Sequence, residues 1–144
     1  MPRIKLNFPD KNFDVSITIP VRITDINYGG HVGNDSLVSV IHEARMQFLQ
    51  HHGYSEMDIE GTGLIMTDLA VEFKNESFYG DVLSIKMAAG DITGVSFELH
   101  YEFSTARAGK EVIIARAKTT MVCYNYAAKK VAPVPEKLKQ LLLV

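Results

Sequence analysis

The feature that most constrains the fold is an alternation of apolar and polar residues near the middle of the chain. From Val95 to Phe103, large apolar side chains occupy every second position, with serine, glutamate and histidine between them. This period of two is typical of a β-strand with one buried face. Three further segments have the same character and predict long strands: Leu64–Tyr79, Asp81–Ile92 and Glu111–Tyr124. In the last segment, the predicted buried face contains Ile113, Ala115, Ala117, Thr119, Met121 and Cys123.

An amphipathic helix separates these strands from a shorter alternating strand, Phe13–Ile19, which is followed by Pro20. Apolar residues recur at helical spacing at Leu37, Val40, Ile41, Ala44 and Phe48. The candidate N-cap residues are Asn34, Asp35 and Ser36, and Gly53 is placed to end the helix. A short helix is expected from Pro135. One strand, a long helix and four long strands predict an α+β fold, in which an antiparallel sheet of about five strands wraps around one central helix.

The bulk properties predict one domain and exclude several classes of protein. The chain has 144 residues and a formal net charge of -2, so we expect a single domain over residues 1–144 and no nucleic-acid partner. Cys123 is the sole cysteine, which excludes an internal disulfide and fits a reducing cytosol. No segment resembles a signal peptide or a membrane span, so we expect a cytoplasmic protein without a membrane partner. The histidines lack metal-ligand spacing, and we expect neither a metal nor a cofactor.

A run of chemically useful residues lies directly before the long helix. Asp25, Asn27 and His31 supply a carboxylate, an amide and an imidazole beside the helix N-terminus. The unpaired N–H groups and dipole of such a terminus suit a developing oxyanion, and acid/base groups beside oxyanion donors are what acyl transfer requires. We therefore predict Asp25, Asn27 and His31 as catalytic residues. The predicted substrate-binding residues are Tyr28, Gly29, Gly30 and Asn34.

Each candidate also has a structural explanation. Asp is common before turns because it binds backbone amides, and the Asn27 side chain could satisfy its own loop. An imidazole titrates near neutral pH and suits proton transfer, but His31 could equally pack the loop against the sheet. Glu43 lies on the polar side of the helix and should be exposed in one subunit, so it can be catalytic only if a partner subunit covers that flank. Cys123 is an unlikely nucleophile because no histidine motif accompanies it.

Two motifs resemble those of the hotdog-fold acyl-CoA thioesterases of the 4-hydroxybenzoyl-CoA thioesterase type. The segment Val21–Arg45, VRITDINYGGHVGNDSLVSVIHEAR, is similar to the pattern Arg-x-x-Asp-x-Asp, a glycine-containing turn and a helix ending in Glu-x-Ala-Arg. The segment Phe78–Ile85, FYGDVLSI, is similar to the family's Gly-Asp-x-Leu-x-Ile turn. The sequence departs from the pattern at Asn27, where many relatives have the catalytic carboxylate.

This resemblance implies a hotdog fold, hydrolysis of an acyl-CoA or acyl-carrier thioester to a free acid and a thiol, and a homodimer or homotetramer with sites at subunit interfaces. The thioester carbonyl would face backbone N–H groups around Gly30 and the helix start. Asp25 or the partner's Glu43 would activate water, which Asn27 and His31 would position.

Two alternatives remain open from the sequence. Because of Asn27, the chain could be a non-catalytic acyl or acyl-CoA binding module. A hotdog dehydratase is disfavoured, since the His-Phe-Pro type of motif is missing. An acyl tunnel could be lined by four residues that are otherwise ordinary core candidates: Phe48, Met66, Phe73 and Met121.

Overall fold

A computed structural model describes residues 3–143 and shows an antiparallel sheet packed against one long helix. The sheet order is β1-β3-β4-β5-β2, and a short β6 pairs with β5. The predicted α+β architecture is therefore confirmed. Within the described residues, no helix is long and apolar enough to cross a bilayer. The elements are β1 (Ile17–Pro20), a 3-10 turn (Ile23–Asp25), α1 (Asn34–His51), β2 (Gly63–Phe73), β3 (Val82–Ile92), β4 (Ser96–Arg107), β5 (Lys110–Asn125), β6 (Lys130–Val131) and α2 (Glu136–Leu142).

The core forms where the apolar stripe of α1 meets the buried face of the sheet. All five residues of the predicted stripe are buried, including Phe48, which is fully enclosed. From β4, Phe97, Tyr101 and Phe103 are fully buried in the same cluster. Burial of large apolar side chains of this kind contributes roughly 1.5–3 kcal/mol each. The helix is thus held at a fixed position over the sheet.

The start of α1 differs from the prediction. Gly33, in extended conformation, is the N-cap, and no side chain caps the helix. The prediction of Asn34, Asp35 or Ser36 as N-cap was wrong because all three already lie in the helix. Two tertiary bonds set this boundary: Val32 N–H donates to Ser77 O (2.8 Å), and Gly33 N–H donates to Asp25 O (3.1 Å). They hold the preceding chain extended until Gly33.

The end of α1 agrees with the prediction. His52 is the C-cap, and Gly53 follows it with a φ of +79°. This left-handed conformation is readily available to glycine, and it lets the chain leave the helix axis.

The start of β1, the end of β2 and the buried face of β5 differ from what the alternation of the sequence predicts. β1 begins at Ile17 rather than Phe13, although Phe13 N–H still donates to Met87 O of β3 (2.8 Å). β2 ends at Phe73 rather than Tyr79, because the chain turns there to bind a bulge in β5. At this bulge Ile114 is an extra residue, so Ile114 is buried and Ile113 only partly so.

A carboxylate anchors the segment between β2 and β3. Asp81 follows Gly80 in the predicted turn and accepts hydrogen bonds from Ser77 Oγ (3.0 Å), Phe78 N–H (2.9 Å) and Arg107 Nη2 (2.6 Å). Burial disfavours the charged carboxylate, but the bonds from Arg107, Phe78 and Ser77 outweigh it and hold the pKa of Asp81 below its ordinary value of 3.8. The chain before β3 is therefore fixed against β4.

This anchor should make stability depend on acid pH. A carboxylate whose folded-state pKa is depressed stabilises the fold above its unfolded pKa and loses that contribution as pH falls through the folded value. We expect Asp81→Asn to lower the melting temperature at neutral pH. The difference in melting temperature between this variant and the native protein should shrink as pH falls from about 6 to about 3. Calorimetry across this range measures both melting temperatures, and a difference that does not change with pH would contradict the role assigned to Asp81.

Candidate active site

A cavity of about 400 Å³ opens between the loop before α1 and the segment after β2. The two walls are joined by the hydrogen bond from Val32 N–H to Ser77 O (2.8 Å). Leu37 and Ile114 supply apolar surface, and residues with amide, imidazole and carboxylate side chains also line the cavity. Apolar surface with a few convergent polar groups is typical of a small-molecule site. The lining residues are Asn27, His31, Val32, Asn34, Leu37, Phe73, Lys74, Asn75, Glu76, Ser77 and Ile114.

The loop before α1 is folded by its own backbone hydrogen bonds. Asn27 N–H donates to His31 O (2.9 Å), and Gly30 N–H donates to Asn27 O (3.1 Å). Gly30 has a φ of +84°, which side chains with a Cβ rarely adopt, so a glycine is required in this turn. The N–H of Gly30 is thus used within the turn, which leaves the start of α1 as the other expected source of oxyanion donors.

Asn27 and His31 converge beside Gly29. Asn27 Oδ1 and His31 Nε2 each lie 3.3 Å from the point that a Cβ on Gly29 would occupy. His31 Nδ1 lies 3.2 Å from Val32 O, and donation of Nδ1–H to this carbonyl leaves Nε2 as an acceptor. Asn27 Oδ1 accepts from Gly29 N–H (2.9 Å), and within residues 3–143 the Asn27 amide nitrogen has no protein partner. The cavity lining therefore includes an amide and an imidazole side chain, and Asn27 Oδ1 and His31 Nε2 lie on the same side of Gly29.

The N-terminus of α1 adds a second donor. Asn34 is the first residue of the helix and lines the cavity. In the described part of the chain, no acceptor pairs with its backbone N–H, as is usual for the first residues of a helix. The positive end of the helix dipole also lies here. A negatively charged oxygen would thus be stabilised beside Asn34.

Four of the predicted site residues do not line the cavity: Asp25, Tyr28, Gly29 and Gly30. The Asp25 side chain is buried and accepts from Arg22 N–H (2.9 Å) and Arg22 Nη2 (3.2 Å), so it fixes the start of the loop. Tyr28 is fully exposed at the tip of the turn, beside Gly29 and Gly30, which are also exposed. Catalysis by Asp25 and substrate binding by these three residues stay predictions.

Glu43 is exposed, as predicted, and accepts a hydrogen bond from Gln47 Nε2 (2.8 Å). It lines a different groove, whose other residues include Ile17 and His51. The chain therefore does not bring its own Glu43 to the cavity that contains His31. A catalytic role for Glu43 stays a prediction that depends on a partner subunit.

Comparisons with known proteins identify the family of this chain. The profile of the thioesterase-like superfamily matches residues 21–142. The chain belongs to this superfamily. A 1,4-dihydroxy-2-naphthoyl-CoA hydrolase from Microcystis aeruginosa is 30% identical over 125 residues, covering 85% of this chain and 88% of that protein. A protein of the same name from Acaryochloris marina is 29% identical over 127 residues, covering 84% and 90%.

Solved structures give the same result for the fold. A 1,4-dihydroxy-2-naphthoyl-CoA thioesterase from Synechocystis has a TM-score of 0.77 at 23% identity, covering 89% of this chain and 94% of that one. A gentisyl-coenzyme A thioesterase has a TM-score of 0.76 at 20% identity, covering 89% and 99%. The resemblance to hotdog-fold acyl-CoA thioesterases is confirmed, and the chain is a thioester hydrolase.

One wall of this thioesterase's cavity is not predicted from the sequence. Its four polar residues fall within the predicted strand Leu64–Tyr79, whereas β2 ends at Phe73: Lys74, Asn75, Glu76 and Ser77. The signal that could have revealed them is the polar run after Phe73, which breaks the alternation of β2. Of the four tunnel candidates, Phe73 alone lines the cavity, whereas Phe48 and Met121 are buried in the core and Met66 is exposed on β2.

The thioesterase does not use its cysteine as a nucleophile. Cys123 is fully buried, and burial raises the pKa of its thiol to about 11. A nucleophilic cysteine needs an accessible thiolate. Across residues 3–143, no group of three or more histidine, cysteine, aspartate or glutamate side chains could hold a metal ion.

We expect Cys123→Ala to keep its turnover, because the thiol is protonated and enclosed at neutral pH. Thiol release from an acyl-CoA measures turnover, and iodoacetamide labelling of the folded native protein should be slow for the same reason. Loss of turnover in a Cys123→Ala protein with a native melting temperature would contradict this assignment.

Proposed function

We propose that this thioesterase hydrolyses the coenzyme A thioester of an aromatic carboxylic acid at the cavity between the Asn27–Asn34 loop and residues 73–77. The convergence of Asn27, His31 and the α1 N-terminus in one cavity carries this proposal. Four curated relatives are named for a bicyclic aromatic substrate, 1,4-dihydroxy-2-naphthoyl-CoA. The cavity volume of about 400 Å³ and its apolar residues suit such an acyl group.

The donors beside the cavity suit the tetrahedral intermediate of hydrolysis. We assign the Asn27 amide N–H₂ and the Asn34 backbone N–H as donors to the thioester oxygen, since neither is used within the described chain. Each such donor contributes on the order of 10²-fold or more to the rate. His31 Nε2, an acceptor in the same cavity, orients the attacking water.

A panel assay tests this function. Thiol release should be fastest with 1,4-dihydroxy-2-naphthoyl-CoA or benzoyl-type CoA esters, and much slower with straight-chain acyl-CoAs. Saturable binding of these esters without thiol release would identify a non-catalytic binding module instead. A preference for straight-chain esters would refute the aromatic assignment while leaving thioester hydrolysis intact.

The surface beside the cavity supports coenzyme A as the carrier. A second groove shares Phe73 and Lys74 with the cavity and is also lined by Arg3 and Lys5. Glu72 lies in this groove and pairs with Lys74 at 3.3 Å, so positive groups outnumber the negative one. A basic groove at the mouth of the cavity suits the phosphates of coenzyme A.

We expect Lys74→Ala to raise KM for an acyl-CoA about five-fold, which corresponds to about 1 kcal/mol for an exposed ion pair. KM for the matching acyl-pantetheine thioester, which lacks the nucleotide, should not change. Lys137→Ala on the exposed side of α2 is the matched control. Equal changes with both substrates would refute the phosphate contact.

We also propose that the protein forms a homo-oligomer, either a dimer or a tetramer. β2 forms one end of the sheet order, and it exposes Ile65, Met66 and Phe73 by 37%, 42% and 50%. A free apolar edge favours pairing with another strand. The free Cys123 fits a reducing compartment, so we also propose that this single domain acts in the cytoplasm.

A charge on this edge should separate the subunits. We expect Met66→Lys to shift the native oligomer to a monomer in sedimentation velocity at micromolar concentration, because a desolvated charge disfavours edge pairing. Lys129→Met, in the turn before β6, controls for a change of one charge. A native protein that is itself monomeric and active would contradict the oligomer.

A further inference from the structure

The cavity lining contains one acidic residue, Glu76, whose carboxylate has no partner within residues 3–143. Glu76 lies in the segment between β2 and β3, on the wall opposite His31. Its backbone oxygen accepts from Arg107 Nη2 (2.8 Å), which fixes the main chain at this position. Within residues 3–143, the Glu76 carboxylate has no hydrogen bond or ion pair, and the residue is exposed. It is thus a free acid group on an anchored backbone.

Four other acid side chains lie near the two walls, and none of them lines this cavity: Asp25, Asp35, Asp81 and Glu43. Asp35 Oδ1 lies 2.6 Å from the point that a Cβ on Gly33 would occupy, at the start of α1. Asp25 is bound by Arg22, and Asp81 accepts three hydrogen bonds that hold the turn before β3. Glu43 lines a separate groove. Among the residues that line the described cavity, Glu76 is the one carboxylate.

Two side chains of the cavity lining can accept the proton of the attacking water. The Asn27 amide cannot accept a proton at neutral pH. His31 donates Nδ1–H to a neutral carbonyl, Val32 O, so its Nε2 can hold a water, but a positive charge on its ring has no carboxylate partner within residues 3–143. The Glu76 carboxylate is the second acceptor, and it can take the proton without creating a new positive charge in the cavity.

We propose that Glu76 is the general base of thioester hydrolysis. This inference rests on the proposed function of the same cavity. The Glu76 carboxylate removes a proton from the water held by His31, and the water oxygen forms a bond to the thioester carbon. The carbon–sulfur bond of the tetrahedral intermediate then breaks, and the thiolate takes the proton back from Glu76. The products are the carboxylic acid and coenzyme A thiol, with no other reactant.

The first test removes the base without changing the shape of the side chain. Glu76→Gln should lower kcat about 100-fold, the usual contribution of a general base, while KM and melting temperature stay close to native. Glu136→Gln on exposed α2 is the matched control and should keep its native kcat. A native kcat in Glu76→Gln overturns the proposal. The same holds if Glu43→Gln loses turnover and Glu76→Gln does not, which would assign the base to the partner subunit.

The second test restores a carboxylate from solution. Formate should raise the turnover of Glu76→Ala, because it returns an acid group to the cavity, and it should leave that of Glu136→Ala unchanged.

A kcat loss in Glu76→Ala that formate does not restore would indicate a structural role and overturn the proposal. Failure of the proposed function is a separate result, in which the native protein releases no thiol from any ester of the panel.

Discussion

The active site depends on one main-chain hydrogen bond, from Val32 N–H to Ser77 O, because it joins two walls that are distant in sequence. Each wall is fixed by its own ion pair. Arg22 and Asp25 hold the loop before α1, while Arg107 and Asp81 hold the segment before β3. The cavity between them is therefore preorganised by backbone and charge, and within residues 3–143 neither the Asn27 amide nitrogen nor the Glu76 carboxylate has a hydrogen-bond partner.

The two walls of the cavity explain how this chain can have an amide at Asn27, where many relatives have a carboxylate. A carboxylate at that position would combine binding and proton transfer in one residue. Here Asn27 can only donate or hold water, and the acid group in the cavity is supplied by Glu76 on the opposite wall. Under our proposal, the fold is that of the superfamily, Asn27 is a donor rather than a base, and the base is Glu76.

The fold could be predicted because local patterns agree with the tertiary structure. Alternation from Phe97 to Phe103 and the apolar stripe of α1 each mark a face that is buried. The errors arose where tertiary hydrogen bonds decide the outcome. The bulge at Ile114 inverts a face locally, and bonds to its carbonyl end β2 at Phe73. The cavity wall at Glu76 follows from that ending and carries no motif, so the sequence predicts Asn27 and His31 as site residues but not Glu76.

The most direct test of the account is a crystal structure with a coenzyme A ketone analogue, which keeps the acyl carbonyl but has a methylene group between it and sulfur and cannot be hydrolysed. We predict that the carbonyl oxygen lies about 3 Å from the Asn27 amide nitrogen or the Asn34 backbone nitrogen, with the Glu76 carboxylate facing the carbonyl carbon. Electron density for the acyl group in the groove lined by Glu43, with the cavity beside His31 empty, would contradict it.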